Sequence, residues 1–195
     1  MRLDVLERGH RRGARLFIRL VELASRQGMD NVAMTALYRP TFWGRPFFDM
    51  AAVVLRGPSF WTPGEREYMA MAVSRVNECP FCLRVHTETA RIESHGEVDV
   101  QDPSVMRPEL AAVLPLLEKV TRTPDTVTPD DVAAVRTAGV PDDAIVDALH
   151  VCLVFDTVNR MANAFDWAWD SDEHARVAAV AIHRLRYKLP GPLMR

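Results

Sequence analysis

Glu78-Cys79-Pro80-Phe81-Cys82-Leu83-Arg84-Val85-His86 decides how the rest of the chain is read. Pro80 has no backbone N–H to give and disfavours the α region for the residue before it, so a helix restarts there. With Pro80 at the first helical position, Cys79 becomes the N-cap and Cys82 falls in the first turn. Steps of three and four then put Cys79, Cys82 and His86 on one helical face. Exposed amides and the positive end of the helix dipole favour a thiolate in that place. His86, one turn beyond Cys82, is spaced to exchange a proton with its sulfur.

Immediately upstream, Trp61-Thr62-Pro63-Gly64-Glu65 is a helix start, with Thr62 as N-cap, Pro63 first and Glu65 three residues after Thr62. The helix runs to Asn77. On it Glu67, Met71, Ser74 and Glu78 follow three- and four-residue steps, which turns Glu67 towards the face of the helix's far end. The cysteine-bearing helix stops near Ser94-His95-Gly96, and residues 97–108 form a polar loop.

Further out, residues 2–27 read as one helix, with Leu3, Leu6, Leu16, Leu20, Leu23 and Ala24 as its apolar stripe and Gly28 as its stop. Its arginines (Arg8, Arg11, Arg12, Arg15, Arg19) are interspersed with Glu7 and Glu22 and are read as a solvated face. A shorter helix runs from Asp30 to Tyr38, before Pro40. The aromatic cluster Thr41-Phe42-Trp43-Gly44-Arg45-Pro46-Phe47-Phe48 is read as packing under the next helix, with an apolar pocket lining as the alternative. That next helix spans 46–55. In the second half helices are expected over 109–120 with Pro115 as a kink or early end, from Thr128 to Gly139, from Val140 through Phe165, and over 172–188 before Pro190-Gly191-Pro192. Thr62-Pro63 and Thr128-Pro129 form a weak internal echo. No stretch alternates with the period of a strand. The expectation is an all-α protein of seven or eight helices.

The chain has 195 residues, 48% of them hydrophobic and 26% charged, the proportions of a globular protein of one domain. A formal net charge of −2 argues against a nucleic-acid partner, which would need a basic excess. No apolar run reaches the length of a membrane span; residues 151–155 are only a short burst. The acids at Asp4 and Glu7 interrupt what a signal peptide would keep apolar. A cytoplasmic location follows as the default, where a C-x-x-C pair points to redox or metal chemistry rather than a structural staple.

On the residues alone three readings stay open. Cys79, Cys82 and His86 supply the thiolate, the second thiol and the proton carrier of a thiol–disulfide or peroxidatic centre. C-x-x-C with a nearby His is also zinc spacing, with Glu67 or a water completing the set, though no second Cys or His pair is present. The third reading is two small buried thiols beside a core histidine. Leu83 rules out covalent haem attachment, which requires His directly after the second Cys. On a later helix His150 lies among apolar residues and is read as satisfying a local hydrogen bond, with a place at the same cavity as the alternative, and Cys152 beside it is read as a small core residue.

Glu67, twelve residues before Cys79, together with Cys82 and His86, resembles the AhpD-like alkylhydroperoxidase branch of the carboxymuconolactone decarboxylase family. The segment Phe155-Asp156-Thr157-Val158-Asn159-Arg160-Met161-Ala162-Asn163-Ala164 is similar to the Asn-Arg helix of that family's peroxidase-related members. The resemblance implies a single AhpD-like helical domain over 1–195, with 1–40 as an N-terminal extension, 41–170 as the core and 171–195 as a C-terminal helix and tail. It implies a homo-oligomer, trimer or hexamer, that needs no cofactor or metal. It implies that Cys82 attacks an organic hydroperoxide, that Cys79 resolves the sulfenic acid to a disulfide, and that His86 and Glu67 relay protons. A dithiol would be the reductant. The best-known members carry a histidine before the second cysteine; here Phe81 stands there and shortens the relay. The same scaffold also serves lactone decarboxylation, and a non-catalytic redox-sensing module is a further alternative.

Overall fold

The computed structural model describes residues 1–188, and everything below concerns those residues; the Pro190-Gly191-Pro192 stop lies outside them. The fold is all-α. In order the helices are α1 (Asp4–Arg8), α2 (Arg12–Ser25), α3 (Asn31–Tyr38), α4 (Arg45–Arg56), α5 (Pro63–Val76), α6 (Pro80–Glu93), α7 (Pro108–Arg122), α8 (Pro129–Thr137), α9 (Asp142–Phe165) and α10 (Asp172–Leu185). A π-turn at Pro40–Gly44 leads directly into α4, and a 3₁₀ turn at Pro124–Thr126 separates α7 from α8. The loop after α6 is held by one isolated bridge between Val98 and Met106.

At the centre is α5, whose residues from Gly64 to Met71, and Val73 and Ser74 beyond, are buried. A helix buried all round has no solvent face to pattern, so its stability comes from neighbours on every side. Those neighbours are α6 above all, then α9, α7 and α4. Its start is fixed by the expected capping box: Glu65 N–H donates to Thr62 Oγ1, and the Thr62 amide donates to Glu65 Oε2. Arg107 closes the same carboxylate with a two-nitrogen fork. Gly64 admits no side chain, because a Cβ there would lie 2.9 Å from Ser94 Cα. The head of α5 therefore presses against the tail of α6. Between the two helices the chain reverses through Glu78 in the left-handed region, φ 50°. Asn77 is pinned there by α9, donating through Nδ2 to Asp156 Oδ1 and accepting from Asn163 Nδ2 at its carbonyl.

Three expectations are corrected. The first helix is two, broken after Arg8, with Gly9 as the C-cap; only glycine fits there, since a Cβ would be 2.5 Å from Val5 O and 2.8 Å from the Tyr38 ring. Its apolar stripe is also misassigned: Ala14 and Ile18 are the buried positions of α2, whereas Leu16, Leu20 and Leu23 (79% exposed) face outward. Counting leucines picked the wrong side of a helix that packs through Ala14, Phe17 and Ile18. The helix expected over 172–188 ends at Leu185, since Arg186 and Tyr187 both turn left-handed, φ 49° and 63°. Pro115, by contrast, does not end α7. Pro115 and Ala111 are both exposed, so water can meet the carbonyl that loses its N–H partner.

Candidate functional site

The first turn of α6 brings the cysteines to one place. Cys79 occupies the N-cap position with extended backbone, φ −103° and ψ 92°, and Pro80 opens the helix. Both cysteines are free thiols and almost wholly buried, 1% and 2% exposed. The Cys82 thiol, and after burial is offset the amides of Cys82 and Phe81, hold the Cys79 thiol below its ordinary pKa. Those amides lie near the sulfur without any of them making a full capping hydrogen bond. For Cys82 the partner Cys79 and burial act together in the other direction and push its pKa well up. The pair therefore keeps its first negative charge on Cys79, with Cys82 as the protonated neighbour.

One turn on, His86 is buried between α5 and α9. Its ring stands edge-on to Phe155, centroids 4.5 Å apart. Its Nδ1 lies 2.6 Å from Glu67 Oε2. Glu67 is fully buried, which alone would raise its pKa, but His86, Arg56 and Tyr187 outweigh burial and hold it below the usual carboxylate range. An ionised carboxylate can only accept, so Nδ1 carries the hydrogen and Nε2 is left for exchange with anything else.

Glu67's other oxygen has two partners. Arg56, the last residue of α4, approaches Oε1 at 2.7 Å, and the Tyr187 hydroxyl donates to the same oxygen at 2.7 Å. The guanidinium also donates to Glu93 Oε1 at 2.8 Å and lies over the Tyr187 ring at 5.0 Å. Burial and the Glu67 charge push the Tyr187 pKa well above its ordinary value, so the phenol stays a donor. Sequence reading missed Arg56, Tyr187 and Glu93. Arg56 and Tyr187 lie at helix ends, and no spacing rule links either of them to Glu67.

On the other side of Cys82 and His86 is an apolar cavity of ≈ 120 Å³. Phe47 and Phe48 from α4, Phe155 from α9 and Tyr187 wall it. So do Phe81 and Trp169, whose rings stack in parallel at 4.3 Å, with Trp169 Nε1 donating to Phe81 O at 2.8 Å. Phe81 thus makes an apolar wall directly before Cys82. The aromatic cluster of residues 41–48 divides: Phe47 and Phe48 line the cavity and Trp43 stacks on Phe47 at 4.7 Å, while Phe42 is 83% exposed. Cys79 does not line this cavity.

The remaining candidates fall elsewhere. His150 is exposed on α9 and away from the cavity. Cys152 is buried near Thr121, and burial pushes its pKa up to about 12. Asn159 is buried with Ser74 donating to its Oδ1, and Arg160 is exposed. Among the described residues no cluster of three or more His, Cys, Asp or Glu side chains is placed to hold a metal ion, and no helix is long and apolar enough to cross a membrane.

Residues 43–102, which include Glu67, Cys79, Cys82 and His86, match the model of the carboxymuconolactone decarboxylase family. No curated protein matches the chain. Among solved structures it is similar to the alkylhydroperoxidase AhpD core of an uncharacterized peroxidase-related protein from Ralstonia eutropha JMP134. The TM-score is 0.69 at 25% identity, covering 86% of this chain and 92% of that one. An uncharacterized peroxidase-related protein from Silicibacter sp. TM1040 shares the fold, with a TM-score of 0.67 at 23% identity over 89% of this chain and 93% of that one. Residues 43–102 thus resemble the carboxymuconolactone decarboxylase family within an all-α fold similar to that of the AhpD-core structure.

Proposed function

We propose that the protein is a cofactor-independent thiol peroxidase that reduces an organic hydroperoxide through Cys82 and Cys79. The observation that carries this reading is that Cys82 and His86 stand in the wall of one apolar cavity. Cys79 ionises the more readily of the two thiols, and the reaction starts from its thiolate. When a hydroperoxide enters, the Cys82 proton passes to Cys79 and the Cys82 thiolate attacks the terminal oxygen. An S–O bond forms as the O–O bond breaks, giving the Cys82 sulfenic acid and an alkoxide. His86 protonates the alkoxide through Nε2, since Nδ1 is engaged by Glu67. Cys79 then attacks the sulfenic sulfur, the disulfide forms and water leaves. One thiolate, one thiol, one hydroperoxide and one proton from His86 give one disulfide, one alcohol and one water. An external dithiol returns the disulfide to two thiols.

Glu67 acts through His86 as a positioning residue: it holds the ring's orientation and keeps the hydrogen on Nδ1. Arg56 and Tyr187 in turn keep Glu67 ionised. The reading includes a homo-oligomer, trimer or hexamer, and a cytoplasmic setting in which a dithiol donor is at hand. Stopped-flow mixing of the reduced protein with cumene hydroperoxide tests it. Loss of two thiols and release of one cumyl alcohol per chain is expected, abolished by Cys82→Ser. Thiols that persist for minutes in excess peroxide overturn it. Activity on a lactone that survives Cys82→Ser would assign the site to decarboxylation instead.

A further inference from the structure

A second cavity, ≈ 350 Å³, lies behind the first between α2, α3 and α10. The two share five wall residues: Asp30, Ala33, Ala178, Ala181 and Leu185. Three of the five are alanines, so the partition has little side chain in it. Beyond it the second cavity is again mostly apolar, with Phe17, Val21, Leu37 and Val177 in its walls. A well-packed interior leaves few voids larger than a water. Both cavities are partly open, so the apolar wall of each is left to water unless a ligand covers it.

The first cavity by itself is small. Apolar cavities of about 150 Å³ hold a molecule such as benzene, so ≈ 120 Å³ at Cys82 takes one ring or a short chain. Anything longer has to continue across the alanine partition. We infer that the two cavities form one substrate compartment for an elongated, largely apolar hydroperoxide, its reacting end at Cys82 and His86 and its tail in the chamber beneath α2. The inference rests on the peroxidase reading for the reacting group but not for the tail. The far chamber also has polar groups in its wall, among them Ser25, Gln27 and His174; the buried His174 ring has its Nδ1 3.3 Å from Asp170 Oδ2.

Binding of unreactive alcohols separates the chamber from the chemistry. Calorimetric titration of the reduced protein with 1-octanol and 1-butanol is the primary measurement, repeated on Val177→Phe, which fills only the far chamber. Val21→Phe fills it from the opposite wall, so the measurement does not depend on one variant folding. Octanol should bind the wild type at least about tenfold tighter than butanol, each buried methylene adding to affinity. Either variant should lose about tenfold or more for octanol and nothing for butanol. Octyl hydroperoxide and tert-butyl hydroperoxide should divide in the same way in thiol-oxidation rate. Octanol binding that both variants leave untouched, or octanol and butanol affinities that fall together, overturns the inference. If no hydroperoxide oxidises the thiols while octanol remains sensitive to Val177→Phe, the peroxidase reading fails and the compartment stands.

Discussion

Helices α6 and α9 each carry a cysteine and a histidine in a buried part of the fold, with opposite results. On α6, Cys82 and His86 are four residues apart and share a face, and both line the cavity. On α9, His150 and Cys152 are two apart, so the turn of the helix puts them on different sides. Cys152 is buried and His150 is exposed. Position along the helix divides them further. Cys79 and Cys82 sit at the start of α6, where amides are unpaired, and the charge of the pair settles on Cys79. Cys152 is in the middle of α9, where each amide is already spent on the helix, and burial raises its pKa to about 12. Burial is nearly the same for all three thiols. Spacing and helix position are what set them apart.

The sharpest way to break this comparison is to remove each histidine. His86→Asn should slow the oxidation of thiols by hydroperoxide about 10²–10⁴-fold, the usual contribution of a positioned proton carrier. His150→Asn should leave the rate unchanged. Stopped-flow thiol loss reads both, and equal effects of the two substitutions would end the distinction between the helices.

The second difference lies in what supports the site. Behind His86 are Glu67, Arg56, Glu93 and Tyr187, all buried; behind Cys152 are Thr121 at 3.8 Å and the Leu117 carbonyl at 3.9 Å. Arg56→Met leaves Glu67 and Glu93 facing each other without their shared cation, which should cost ~3–5 kcal/mol in denaturant unfolding. Thr121→Val, which removes only a weak contact to sulfur, should cost about 1 kcal/mol. An Arg56→Met protein as stable as the wild type would show that the buried cluster is not held together as an ion network.

Thiol titration reads a smaller effect. Cys82→Ala removes the partner that lowers the Cys79 pKa, so the Cys79 titration, followed by ultraviolet thiolate absorbance, should move up. Cys79→Ala should move Cys82 down, because Cys79 is the leading cause of its elevation. Neither change should move Cys152. Shifts of the opposite sign would place the resting charge on Cys82.

How much of this could be read in advance depends on the range of the interaction responsible. The α5–α6 hairpin was legible because its signals are local: Thr62 and Glu65 are three residues apart and Pro80 follows Cys79 directly. The meeting of Glu67 with His86, nineteen residues apart, was legible as a family spacing rather than as geometry. Tyr187 reaches Glu67 across 120 residues, and it does so because two left-handed residues end α10 early. Nothing near Tyr187 in the sequence announces either fact. The need for glycine at position 9 was hidden for the same reason, since what would meet a side chain there is the Tyr38 ring on another helix. The outward leucines of α2 show the limit of a periodicity argument: an apolar stripe says that one face is distinct, and packing chooses which face is buried.

The two regions should also limit stability at opposite ends of the pH scale. Glu67 has a folded pKa below its unfolded value, and the unfolded value is about 4.3. Its contribution is therefore present above that pH and is lost as the pH falls through the lower, folded value. The stability difference between wild type and Glu67→Gln should be constant near neutrality and should change only below about pH 4.3. Cys152 is the reverse case. Its folded pKa, about 12, exceeds the unfolded value of about 8.5, so its contribution is complete below that lower value and disappears as pH rises between the two. Cys152→Ala should consequently remove part of the alkaline loss of stability and none of the acid loss. Urea unfolding across the pH range measures both slopes. A Glu67→Gln difference that stays flat through the acid limb would mean that Glu67 is not held as an anion, and the support assigned to His86 would go with it.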